Sequence, residues 1–214
     1  MTARIDPCFE RRKEALIKAA RCTCFIGVKP SDDDVASSGT AFFVGPTTLL
    51  TAGHVAPEKT TLILAQLPGV RTAVVDTEYL FDKIPPVETI ECRVVLDKPV
   101  WLVDITILDC SQSDFRATEW LELDRTILKR DVKVDLIGYP GSYSPQYVTQ
   151  TQGVGALGKS ELQDVGELLP ISELTITHGS VIRGGKTPTY RVSTIGGMSG
   201  SPVVVNGKVV GISQ

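Results

Sequence analysis

Aromatic residues are scarce in this chain of 214 residues, at 6%, and it holds only two histidines, two tryptophans and two methionines. With two imidazoles in the whole chain, no Cys/His zinc cluster is expected, and no metal or other cofactor is expected. Long apolar runs are missing as well. The longest cover five or six residues, against the ~20 that a helix needs to cross a bilayer, so no membrane partner is expected. Positive charge is not in excess: 22 Lys and Arg stand against 25 Asp and Glu, a formal net charge of −3. That offers no basic field to a nucleic-acid backbone. An apolar secretion core is absent too, since Asp6, Glu10, Arg11, Arg12, Lys13 and Glu14 occupy the place where one would sit.

What is present is enough apolar material for a sizeable core, at 42% hydrophobic and 22% charged, with 19 Gly and 13 Pro to break the chain into short segments. The five cysteines (Cys8, Cys22, Cys24, Cys92 and Cys110) are odd in number and sparsely placed. That pattern fits reduced thiols better than a disulfide framework. Cys22 and Cys24 would point to one face of a strand. With no secretion signal in view, the expected location is cytoplasmic.

Residues 7–21 read as a helix, with Asp6 as cap and Pro7 at the first helical position, where a missing N–H costs nothing. Short runs rich in β-branched and aromatic residues follow at 22–28, 40–44, 47–51, 61–66, 71–75, 89–96 and 101–108. A polar, helix-tolerant stretch at 114–130 interrupts them. A second series starts at 132–138 and continues through 147–153, 173–177, 190–194, 202–205 and 208–213. Asn206-Gly207 is a strong two-residue hairpin signal. The organisation expected is an N-terminal helical extension (1–21), a first β-unit (22–113), a linker (114–131) and a second β-unit (132–214), all-β apart from the helix.

Gly153-Val154-Gly155-Ala156-Leu157-Gly158-Lys159-Ser160 matches the phosphate-loop pattern, with 100–104 posing as its acidic partner strand. That loop needs to join a strand to a helix in a parallel α/β sheet. Here the acid precedes it and strand-rich sequence follows it. A Gly-rich turn between strands is the better reading.

Three other segments converge on one chemistry. Ser38-Gly39-Thr40-Ala41-Phe42-Phe43-Val44 leads to Thr51-Ala52-Gly53-His54; Val103-Asp104-Ile105-Thr106-Ile107-Leu108 follows; and Gly196-Gly197-Met198-Ser199-Gly200-Ser201-Pro202 lies near the end. A serine hydroxyl attacks a carbonyl only when an imidazole takes its proton, and the imidazole needs a carboxylate on its other nitrogen. The N–H groups of Gly197 and Ser199 would receive the developing oxyanion.

These blocks resemble the three signature blocks of chymotrypsin-fold serine peptidases, in that family's order of His, Asp and Ser. The intervals of 50 and 95 residues suit two antiparallel β-barrels with the site between them. The run 190–202 is most similar to the glutamyl-endopeptidase branch and to intracellular trypsin-like peptidases. The resemblance implies His54 as general base, Asp104 as its orienter, Ser199 as nucleophile, and Gly197 with Ser199 as oxyanion hole. Ser193 and Thr194 fall where relatives line the substrate pocket. His178 is placed near that pocket, and Ser213 lies on the matching last strand beside it. The implied partner is a protein or peptide substrate, with further domains of a longer chain also in view.

Departures from the family matter. Met198 stands where zymogen-activated members carry an aspartate, so activation by that ion pair is not expected. Gly211-Ile212-Ser213-Gln214 holds no histidine, unlike glutamate-cleaving relatives, and Ser193 is uncharged, unlike pockets for Lys or Arg. A small polar or medium-sized side chain is the expected preference. The chain stops at Gln214, where relatives continue into another strand and a closing helix, so the second barrel is expected to lack them. A competing reading is a non-catalytic peptide-binding pseudopeptidase module within a larger intracellular protein. A third is a regulatory domain with helix 7–21 as docking element.

Overall fold

The computed structural model describes residues 7–30, 37–56, 60–68, 86–98, 104–139, 174–185, 188–192 and 197–214. Helix α1 (Pro7–Arg21) opens the chain with the bounds that its sequence predicts. Leu16, Ala19 and Ala20 form its buried stripe, at the spacing of three and four residues that a helix repeats on one face. Lys18 and Arg21 stand in the last turn, where cations offset the helix dipole. The Thr23 hydroxyl donates to the Ala19 carbonyl at 2.8 Å and closes the C-terminus.

Six strands follow: β1 (Thr23–Pro30), β2 (Ser37–Phe43), β3 (Thr48–Ala52), β4 (Thr60–Pro68), β5 (Pro86–Lys98) and β6 (Ile105–Asp109). They close into an antiparallel barrel in the order β1-β2-β3-β6-β5-β4. The remaining strands are β7 (Lys133–Gly138), β8 (Thr175–Arg183), β9 (Thr189–Arg191), β10 (Pro202–Val205) and β11 (Lys208–Ile212). Among the described residues they make a curled five-stranded sheet, β11-β10-β7-β8-β9. Asn206 and Gly207 take φ of 50° and 80° between β10 and β11, the left-handed pair that a two-residue type I′ turn requires. The architecture is the chymotrypsin-like arrangement of two β-units with one N-terminal helix.

Strand β2 decides how the units meet. Ala41 and Phe43 point into the barrel, among Cys24, Ile26, Leu49 and Leu108. Phe42 points the other way, into a cluster shared by Leu16 and Ala19 of α1 and by Ile137, Val204 and Val209 of the second sheet. Alternation along the strand thus serves two cores at once, and each buried Phe contributes roughly 1.5–3 kcal/mol.

One expectation needs correction. Cys22 and Cys24 do not share a face: Cys22 ends the turn after α1 and packs with Leu16 and Ala19, whereas Cys24 lies inside the barrel. The stretch 114–130 forms no helix. It runs as an irregular connector that pairs Leu123 with Val209 and Leu128 with Gly185, because Leu121 and Leu128 are buried anchors with solvated residues between them. The Asp6 cap, the strands expected at 71–75 and 147–153 and the Gly-rich run 153–160 lie outside the described residues.

Cys22, Cys24, Cys92 and Cys110 are free and buried. Burial pushes the thiols of Cys22 and Cys92 from 9.0 up to about 12, and raises those of Cys24 and Cys110 as well. Such thiols keep their protons in the folded state after the unfolded chain has lost them. Stability is therefore fully present below about pH 9 and falls as the pH rises towards 12. Thermal unfolding measured against pH should show that decline. Mass mapping after iodoacetamide treatment at pH 8 should find these four cysteines unmodified in the native protein and alkylated once it is unfolded.

Candidate active site

Asp104 stands at the entrance to β6 with a φ of 39°, in the left-handed region that short polar residues tolerate best. Its carboxylate grips one residue twice. One oxygen accepts the backbone N–H of His54 at 2.8 Å, and the other lies 2.8 Å from His54 Nδ1. A carboxylate can only accept, so the ring proton belongs on Nδ1 and Nε2 is left with its lone pair. Hydrogen bonds to a charged partner contribute about 1.5–3 kcal/mol each, which offsets the burial of the Asp104 side chain at 7% exposure. The imidazole is 42% exposed and open to a reactant.

Gly53 makes this grip possible. A Cβ there would lie 2.9 Å from Asp104 Oδ1 and 3.3 Å from the Asp104 carbonyl carbon. Glycine lets the carboxylate approach the chain just ahead of His54 without crowding.

Ser199 sits, half-buried, on the tight turn that leads into β10. Gly197 and Gly200 shape that turn with φ of 92° and 88°, which glycine adopts without strain. The turn presses on the first barrel. A Cβ on Gly200 would meet the Thr40 carbonyl at 2.0 Å and the Thr51 hydroxyl at 2.4 Å, with Ala52 N at 3.1 Å. The Thr40 N–H donates to the Ser199 carbonyl at 2.9 Å. Gly39 lies between that carbonyl and Val55, the residue after His54. The serine turn is thus seated against the end of β3, from which the chain runs to His54. Among the described residues no hydrogen bond joins the Ser199 hydroxyl to the imidazole, and neither Gly197 nor Ser199 commits its N–H to a backbone partner.

The trypsin-like peptidase domain family matches residues 39–212, well over half of the chain. This chain belongs to that family. No curated protein is similar enough in sequence to match it. Among solved structures, the Rv3671c protease of M. tuberculosis in its active form is similar at a TM-score of 0.62 and 18% identity, over 98% of this chain and 76% of that one. Its inactive form is similar at 0.54 and 18%, over 98% and 84%. The HtrA-type protease AlgW with tripeptide is similar at 0.58 and 19%, over 94% and 53%. At such identities the likeness concerns the fold, and the fold is that of a chymotrypsin-type serine peptidase.

Within this trypsin-like peptidase, Met198 before the serine is buried with Val134, Leu136 and Val181 of the second sheet. An apolar anchor thus holds the place where an activating carboxylate would stand. Ser213 lines up with the serine turn through its backbone: its N–H donates to the Ser201 carbonyl at 2.9 Å, and its own carbonyl accepts the Gly200 N–H at 2.8 Å. Ser193 and Thr194 lie outside the described residues.

His178 stands on β8 opposite Asp135 of β7, with Nδ1 2.6 Å from Asp135 Oδ1, which also accepts from Arg12 of α1 at 2.9 Å. Asp135 alternates with Val134 and Leu136, which pack on Met198, so His178 faces the helix on the sheet's other side. Sequence reasoning did not find this pair, because only the register of β7 against β8 brings the two residues together. It also assigned nothing to Thr40 and Thr51. Their position just ahead of and within the histidine block was the available signal. Among the described residues no group of three metal-ligating side chains occurs.

Replacing Gly53 by Ala should displace the Asp104 carboxylate by a few tenths of an ångström and loosen its hold on His54. Proton NMR should show the downfield Nδ1–H resonance of His54 shifted in the Gly53→Ala protein, with peptidase activity lowered, while circular dichroism shows the fold retained.

Proposed function

We propose that this trypsin-like peptidase is a serine endopeptidase that cleaves peptide bonds through an acyl-enzyme. The observation carrying this reading is the buried Asp104 carboxylate on Nδ1 of a half-exposed His54, beside the turn that presents Ser199. His54 Nε2 takes the proton of Ser199 as Oγ bonds to the scissile carbonyl carbon. The carbonyl electron pair moves onto oxygen, and the N–H groups of Gly197 and Ser199 receive that charge. Collapse of the tetrahedral intermediate breaks the C–N bond, and the leaving amine takes the proton from His54. Water repeats the sequence on the acyl-enzyme and releases the acid. Asp104 stays ionised throughout, holding the tautomer and stabilising the imidazolium.

Ser193, Thr194 and Ser213 are the proposed pocket residues, and a small polar or medium-sized side chain is the proposed preference. The likeness of 190–202 to the glutamyl-endopeptidase branch supports a place near that branch. The lack of a histidine in 211–214 sets the preference apart from acidic residues. The substrate is a protein or peptide, and the free thiols support a reducing, cytoplasmic compartment.

Active-site titration with a fluorophosphonate should modify Ser199 and no other residue, as read by peptide mass mapping. Against a peptide library, Ser199→Ala should lower kcat by roughly 10⁶ and Asp104→Asn by roughly 10⁴. Labelling that persists in Ser199→Ala would remove Ser199 from the nucleophile's role. Peptide binding without labelling of the wild-type protein would make the chain a non-catalytic module.

A further inference from the structure

We propose that Thr40 is the positioning residue of the oxyanion hole, acting from the first barrel on the serine turn of the second. This rests on the serine-peptidase reading above and names a residue that reading does not use.

An oxyanion hole works only if its N–H groups are fixed before charge develops, and each N–H is fixed by whatever holds the carbonyls of its turn. The Met198 carbonyl accepts the Ser201 N–H at 3.1 Å, which sets the plane carrying the Ser199 N–H. The plane after Ser199 is held at both ends, by the Thr40 N–H on the Ser199 carbonyl at 2.9 Å and by the Gly200 N–H on the Ser213 carbonyl at 2.8 Å. The plane between Gly197 and Met198 is different. Its carbonyl is held by a side chain, the Thr40 hydroxyl, at 3.2 Å.

That plane is the one most in need of a clamp. Gly197 carries a proposed oxyanion donor, and with φ at 92° and no Cβ it can rotate at little cost. Holding its carbonyl fixes ψ at Gly197 and with it the place of the Gly197 nitrogen, the oxyanion donor, relative to Ser199. The Thr40 hydroxyl is itself oriented. It accepts the Tyr139 N–H at 2.9 Å, so its single proton is directed to Gly197. Tyr139 is buried against Phe25, edge to face at 6.0 Å, and Thr51 donates to the Thr40 carbonyl at 2.7 Å. The hydroxyl is therefore a bolt of fixed polarity, running from the end of β7 through β2 to the nucleophile's turn. Such chains strengthen each member by mutual polarisation. Thr40 touches no substrate in this scheme; it acts through Gly197.

The test is fluorophosphonate labelling of Ser199 at several probe concentrations, which separates the limiting rate kinact from the affinity KI. Thr40→Val, nearly isosteric but without the hydroxyl, should lower kinact by roughly tenfold or more and leave KI within about twofold. Thr40→Ser, which keeps the donor and acceptor, should recover most of the wild-type kinact. Should Thr40→Val fail to fold, Thr40→Ala makes the same comparison without added bulk. An unchanged kinact in the hydroxyl-free variant, or a Thr40→Ser protein as slow as it, overturns the role of Thr40 while leaving the serine-peptidase reading intact. A wild-type protein that is not labelled at Ser199 overturns both.

Discussion

His54 and Ser199, the proposed base and nucleophile, stand beside different sheets, and what holds their two segments at one distance is backbone against backbone. The Thr40 N–H binds the Ser199 carbonyl, and Gly200 lies so close to the Thr40 carbonyl and Thr51 that no side chain fits there. Contacts of this kind have no rotamers to relax into. A shift of one unit against the other has to break hydrogen bonds rather than bend a side chain, so the approach is held firmly. Phe42 and the cluster around it supply the apolar cohesion on the same face of β2.

A second constraint is electrostatic. Asp104 is taken out of water, and a buried carboxylate without partners is among the most costly features a fold can carry. Both its oxygens are engaged by His54, so the residue that the carboxylate orients is also the residue that makes its burial tolerable. The left-handed backbone at Asp104 and the bare Cα at Gly53 are the local concessions to that arrangement. Strain gathered at such a place is common where geometry serves chemistry.

Much of this was legible in the sequence. Pro7, the apolar stripe of α1 and the Asn206-Gly207 turn act through local physics, and their elements appear with nearly the bounds the residues imply. The blocks around His54 and Ser199 were legible because each carries glycines that close backbone approach demands, and Asp104 because an acid there stands in an apolar run. Other features depend on long-range register and left no local trace. Nothing near Asp135 announces that His178 will stand opposite it, and nothing in the polar run 114–130 shows that Leu121 and Leu128 will be buried while the rest stays irregular. Cys22 and Cys24 were misread for a related reason. The helix ends at Arg21 as its residues imply, but the strand begins at Thr23 rather than at 22, and Cys22 stays in the turn between them with its thiol in a different core.

The connector itself has a further effect. Between the two units it lies alongside β11, with the Val209 N–H bound to the Glu122 carbonyl, the Asp124 N–H bound to the Val209 carbonyl, and Lys208 paired with Glu122 at 3.0 Å. An outermost strand normally offers its free amides to any neighbouring chain. Here the covalent tether occupies the Val209 amide and carbonyl in the middle of that strand. The piece of chain that carries the polypeptide from one half to the other thereby also caps part of the margin of the second sheet.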